Sequence, residues 1–84
     1  MKIQLVKFGT VLSSRPAGKE AYLAAAAYLL KKREKVEVDF TGVKVLTPSW
    51  ADEFIRPLKK QFGKKLTLLP SQNPSVMASL EMII

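Results

Sequence analysis

The side chains able to do chemistry in this chain cluster between Asp39 and Glu53, in the run D-F-T-G-V-K-V-L-T-P-S-W-A-D-E. An alternating apolar/acidic strand over 36–40 ends there at a Thr41-Gly42 turn, and Pro48 opens a helix. With Thr47 as N-cap and Pro48 as the first helical residue, Ser49 falls in the first turn, facing backbone N–H groups that have no intrahelical acceptor. A phosphoryl group on Ser49 would be held by those donors and by the helix dipole. The alternative is structural: Ser49 itself caps the helix, and Asp52 completes an S-x-x-D box. Spacing alone favours the cap, and the negative charges of Asp52 and Glu53 oppose an incoming phosphate. Thr47 is the second-choice acceptor.

Other chemistries are poorly served. The chain has no histidine and no cysteine, which removes the usual general base near neutral pH, the commonest metal ligand and any disulfide. Asp39 and Asp52 are only nominally a carboxylate pair, so no catalytic residue, metal site or cofactor is expected and the chain reads as a non-enzyme. Arg15-Pro16-Ala17-Gly18-Lys19 looks like a phosphate loop, but the P-loop pattern needs glycine at Ser13 and a hydroxyl at Glu20. Arg15 remains a candidate, because it lies in a loop at the same edge as the 41–49 loop. Trp50 is either a partner-binding anchor or a residue at the edge of the core.

The formal net charge is +7, from 14 Lys and Arg against 7 Asp and Glu. Lys31, Lys32, Arg33 and Lys35 follow the first long helix; Lys59, Lys60, Lys64 and Lys65 follow the second. Cations at helix C-termini offset the dipole, which is their ordinary role. Parallel βαβ packing, however, brings both helix ends to one edge of the sheet, opposite Ser49, as an anion-binding patch. No aromatic residue is interleaved with the lysines, so a nucleic acid would be held by its backbone alone, and salt-sensitively.

The elements that must position these residues follow from periodicity and breakers. Ile3, Leu5, Val6 and Phe8 predict a strand over 2–8, broken by Gly9-Thr10; Val11-Leu12 is a short strand or a plug. Ser13 or Ser14 caps a helix over 17–32, whose apolar spacing runs through Tyr22, Leu23, Ala26, Leu29 and Leu30 and whose alanines allow close approach to a sheet. The helix over 48–62 carries Trp50, Ala51, Phe54, Ile55, Leu58 and Phe62 on one face, with a kink or break expected at Pro57 and Gly63 as C-cap. A strand over 66–69 should lie parallel to strand 36–40. Asn73 caps a last helix starting at Pro74, made amphipathic by Val76, Met77, Leu80, Ile83 and Ile84.

At 84 residues the chain is one domain, 1–84, and the order β-(β)-α-β-α-β-α implies a layered α/β fold. Its N-terminus lacks the apolar core of a signal peptide, and no apolar run nears the roughly 20 residues of a membrane span. A cytoplasmic protein without a membrane partner is expected.

Two segments together resemble a known family. D-F-T-G-V, followed after three residues by T-P-S-W-A, resembles the D-F-S-G-V…D-S-S-G segment of STAS domains, the fold of anti-sigma factor antagonists. The smaller STAS-like families are closer, with a G-x-x-L-x-S-R-x-x-G segment (here Gly9, Leu12, Ser14-Arg15, Gly18) and an F-A-D-E-F-like run (here Trp50 to Phe54). The likeness spans residues 8–69. It implies a STAS-like α/β domain: a mostly parallel or mixed sheet of three to four strands packed by three helices. Ser49 matches the serine that a partner kinase phosphorylates in STAS antagonists, Thr41-Gly42 the nearby turn, and Asp39 the acidic residue ending the strand. Thr47 replaces the acidic residue two before that serine, Pro48 the intervening serine, and Trp50 the following glycine. The resemblance therefore bears more on fold than on phosphorylation.

The reading that results is a non-catalytic, regulatory protein-interaction domain resembling anti-sigma factor antagonists. Its surface comprises Arg15, Asp39, Thr41, Gly42, Thr47, Trp50, Asp52 and Glu53, with Ser49 as the switch. The resemblance implies an ATP-binding, anti-sigma-type kinase as protein partner. The alternative is a small basic module that binds an acidic protein or, less favoured, a nucleic acid through the lysine edge. Dimerisation of two copies through the last helix is left open.

Overall fold

A computed structural model describes residues 1–29 and 34–83. In chain order the elements are β1 (Lys2–Gln4), a 3-10 helix (Leu5–Phe8), β2 (Val11–Leu12), α1 (Arg15–Leu29), β3 (Val36–Asp39), β4 (Val45–Leu46), α2 (Pro48–Phe62), a 3-10 turn (Gly63–Lys65), β5 (Leu66–Leu68) and α3 (Pro74–Ile83). The fold is α/β with three helices, as the sequence suggests. It has more strands than expected: a three-stranded sheet in the order β1-β3-β5 and a two-stranded β2-β4 pair, with every pairing parallel. The register sets Ile3 beside Val38 and Val38 beside Leu68.

The first strand is shorter than its apolar run because the period changes. After Gln4 the chain tightens into a 3-10 turn, in which residues three apart eclipse. Leu5 is thereby fully buried in the core, and Phe8 packs over Phe54 and Trp50, with ring centroids 5.7 and 6.3 Å away. Gly9, at φ +131°, ends the turn by donating to the Val6 carbonyl. Val11-Leu12 is a strand and not a plug: Thr10 and Leu12 carbonyls accept from Lys44, Val45 and Thr47 N–H groups.

The core lies between the helices and the larger sheet, and Leu5, Leu12, Val36, Val38, Trp50, Phe54, Leu58 and Val76 are its largest fully buried side chains. Helix α2 presents Trp50, Ala51, Phe54, Ile55 and Leu58 inward, runs unbroken through Pro57 and ends at Gly63, φ +53°. Helix α1 departs from expectation in what it approaches. Gly18, Ala21 and Ala26 are buried, Tyr22 and Ala25 half-buried, and its closest partner is α2, not a sheet. Leu23 faces solvent instead of the core, since it lies off the 18-21-22-25 stripe. Leu30, Lys31, Lys32 and Arg33 lie outside the described residues.

Helix α3 is stitched to β4 by polar side chains. The Asn73 carbonyl oxygen accepts from Ser75 and Val76 N–H groups as N-cap, while its amide donates to the Val43 and Lys44 carbonyls. The Ser75 hydroxyl accepts from Leu46 N–H and donates to Leu46 C=O, and buried Ser79 donates to the same carbonyl. Hydroxyls thus satisfy the edge of β4 that β2 does not pair, at little volume. Met77 is half-exposed, and Val76 with Ser79 takes the inward positions.

Candidate functional site

The start of α2 resolves the choice between cap and free hydroxyl. Thr47 is the N-cap, with extended φ −101° and ψ 152°, and its hydroxyl accepts from Trp50 N–H at 3.4 Å. The same hydroxyl donates to the Leu12 carbonyl at 3.3 Å. β-branched Thr47 can thus cap the helix and anchor it to β2 together, and its oxygen is committed twice over. Ser49 is therefore not the cap, and the S-x-x-D box does not form. Ser49 occupies the second helical position, half-buried, and its hydroxyl makes no hydrogen bond among the described residues.

Asp52 is instead the hub of an ion cluster. Arg15 Nη1 donates to Asp52 Oδ2 at 2.7 Å, and Arg56 Nε lies 2.7 Å from Oδ1, one turn along the helix. Oδ1 is shielded from solvent yet lacks an aligned hydrogen bond, so Arg56 supplies charge more than directed bonding. The Arg15 hydrogen bond, ahead of the Arg56 charge, lowers the Asp52 pKa; the same bond, with Asp52 and Glu53 charges, raises that of Arg15. With Arg15 and Arg56 against Asp52 and Glu53, the formal charge beside Ser49 is zero, and Asp52 alone no longer sets the local sign.

Arg15 reaches Asp52 because α1 starts where it does. Ser14, at φ +75°, turns the chain, and its hydroxyl accepts from Ala17 N–H at 3.3 Å. Gly18, one turn later, lets the first turns of α1 and α2 touch: a Cβ there would sit 2.5 Å from the Trp50 carbonyl oxygen and 3.0 Å from the Trp50 Cα. The spacing of Gly9, Leu12, Ser14, Arg15 and Gly18 therefore has a physical basis. It supplies a left-handed turn, a buried strand residue, a cap, an ion-pair donor and a close helix approach.

Asp39 and Thr41 form a separate cluster after β3. Asp39 Oδ1 accepts from Thr41 N–H at 3.0 Å and from the Thr41 hydroxyl at 2.7 Å, an Asx-type turn. These bonds, the hydroxyl's first, lower the Asp39 pKa. Neither carboxyl is held protonated near neutrality as a general acid requires. Gly42, at φ +88°, lies where a Cβ would press on Val6 at 3.0 Å.

Trp50 is 2% exposed and stacks on Phe54 at 4.9 Å. It is a core residue and not a surface anchor, because Phe8 and α1 close over it. It forms part of the lining of a groove of about 300 Å³ with Phe8, Val11, Ala17 and Ala21. Glu53 is half-buried beside Arg15. Of the basic edge, Lys35, Lys59, Lys60, Lys64 and Lys65 are exposed, and Lys31, Lys32 and Arg33 lie outside the described residues. Because Val36 pairs with Leu66, Lys35 and Lys65 precede neighbouring strands at the same end of the sheet, away from the start of α2. Sequence reasoning missed Arg56, which its i+4 spacing from Asp52 could have revealed. It also missed the hydroxyl stitching by Ser75 and Ser79, for which no local pattern exists.

The order of elements and the parallel pairing make an α/β domain consistent with a STAS-like fold. A family model described as a STAS-like domain of unknown function (DUF4325) matches residues 18–75, and the chain belongs to that family. The match begins at Gly18, after the Gly9-to-Arg15 part of the first motif. No curated protein and no solved structure matches. Among the described residues, no helix is long and apolar enough to cross a membrane.

Proposed function

We propose that this chain is a non-catalytic regulatory domain that docks a protein partner through the start of α2 and is released by phosphorylation of Ser49. The observation that carries the reading is the division of labour between Thr47 and Ser49: Thr47 caps the helix, and the Ser49 hydroxyl, in the first turn, makes no hydrogen bond among the described residues. A phosphoryl group there meets the positive end of the α2 dipole. It also meets a neighbourhood in which Arg15 and Arg56 balance Asp52 and Glu53. The added charge of roughly −1.5 to −2 disrupts a docked partner by repulsion and desolvation. The STAS resemblance supports an ATP-binding, anti-sigma-type kinase as the partner and, with it, a cytoplasmic location. Asp39, Thr41 and Gly42 shape the loop between β3 and β4.

The test is cross-linked capture from native cells with the wild type, Ser49→Ala and Ser49→Asp. The wild type and Ser49→Ala retain the same partner, and Ser49→Asp loses it while keeping its thermal midpoint, since an anion in the first turn of a helix is stabilising by about 0.3–1 kcal/mol. Retention of the partner by Ser49→Asp contradicts the proposal.

A further inference from the structure

The second surface lies at the other end of α2, along β5. Leu69 N–H bonds the Val38 carbonyl at 3.0 Å. Backbone direction alternates along a strand, so the N–H and C=O groups of Leu68 face away from β3, toward the outer edge of the sheet. No strand pairs with that edge among the described residues. An unpaired edge is a template for another strand unless something blunts it.

An apolar recess opens beside the edge. It measures about 190 Å³ and is lined by Ile55, Arg56, Lys59, Leu66, Leu68 and Ile83. That is below the roughly 300 Å³ at which small-molecule sites begin, and suits a single apolar side chain better than a free ligand. Leu66 and Leu68 are half-buried on the recess side, while Thr67 is exposed. A strand laid along β5 would therefore send alternate side chains toward the recess.

Charge selects the occupant. Lys59, Lys60 and Lys64 are exposed and form no ion pair among the described residues, and Lys65 adjoins them in the turn leading into β5. A second copy of this chain would bring the same lysines against themselves, and at a formal net charge of +7 that pairing is disfavoured. An acidic segment neutralises them. We propose that the outer edge of β5 is a docking site for an extended acidic peptide of a partner protein, which adds a strand to the sheet, seats one apolar side chain against Leu66, Leu68, Ile55 and Ile83, and pairs its carboxylates with Lys59, Lys60 and Lys64. This surface shares only Arg56 with the Ser49 neighbourhood, so either can fail without the other.

The experiment selects binders from a random peptide library displayed on phage, using the full chain as bait. A fluorescein-labelled winner is then titrated and its site mapped by amide chemical shifts. Enrichment of acidic peptides with alternating apolar residues is expected, with the largest shifts at Leu66 and Leu68. Lys59→Glu with Lys64→Glu, both on exposed positions, should weaken binding by at least about tenfold and leave the circular dichroism spectrum unchanged. No acidic consensus, shifts confined to the start of α2, or binding unaffected by the charge reversal overturns the proposal. Oligo-dT binding with the same shifts and higher affinity would assign the edge to nucleic acid. Pairing of β5 between two copies in sedimentation would assign it to self-association. Either result also overturns the proposal.

Discussion

Replacing Gly18 by alanine should break the geometry that joins Arg15 to the start of α2. The added Cβ lies 2.5 Å from the Trp50 carbonyl oxygen, 3.0 Å from its Cα and 3.1 Å from its carbonyl carbon. All three are backbone atoms in the first turn of α2, so no side chain can rotate away. Reaching an ordinary contact of 3.4 Å requires the two helix starts to part by about 0.9 Å in a close-packed region. Trp50 and Ala51, buried at 2% and 0% exposure, would move with them. Overpacking of this kind costs about 1–3 kcal/mol, and immovable backbone places this site at the upper end. Alanine returns about 0.5–1 kcal/mol over glycine within a helix. The net expectation is a loss of about 2 kcal/mol, which in a domain of this size lowers the thermal midpoint by about 8–16 °C. Urea unfolding and thermal melts followed by circular dichroism measure it. Ala27→Gly on the exposed face of α1 is the control and should cost only about 0.5–1 kcal/mol. A Gly18→Ala protein as stable as wild type would refute the argument that glycine is required for helix contact.

The ion cluster predicts a pH signature. The folded-state pKa of Asp52 is depressed, so its contribution to stability is complete above its unfolded value of about 3.9 and is lost as the pH falls through the lower folded value. Arg15→Ala removes the largest cause, and the Asp52 carboxyl should titrate closer to the ordinary value. Stability near neutrality should change little, because the Arg15 side chain is 56% exposed and solvent screens the pair. Carboxyl-carbon NMR titration checks this, and an unmoved Asp52 titration counts against the assignment. Ser75→Ala leaves Leu46 N–H without its acceptor and should cost about 1–3 kcal/mol in urea unfolding. Ser79→Ala should cost less, because the Leu46 carbonyl keeps Ser75 as a donor.

What the sequence disclosed was set by local rules. The bounds of α2 follow from Thr47-Pro48 and Gly63, the α3 cap from Asn73-Pro74, and the β3–β5 pairing from alternation and short crossovers. Where tertiary contacts decide, the local pattern misleads. The apolar run after Gln4 reads as strand, but a three-residue period buries Leu5 and lays the exposed Phe8 ring over Trp50 and Phe54. The two residues of β4 are too few to show alternation, and their pairing depends on Thr10 and Leu12. Leu23 and Met77 are apolar but point to solvent, while small Gly18 and polar Ser79 take the inward positions. At the candidate site, the residue types were legible and the partners were not. Whether Thr47 or Ser49 caps α2 turns on a bond to Leu12, 35 positions away.

The most direct test of the Ser49 switch is the intact mass of the chain purified from its native cell, in growth and under stress, with fragmentation to map any modification. A fraction of the chain should carry one added phosphoryl group, localised to Ser49. An unmodified chain in both conditions, or a phosphoryl group on Thr47, would contradict it.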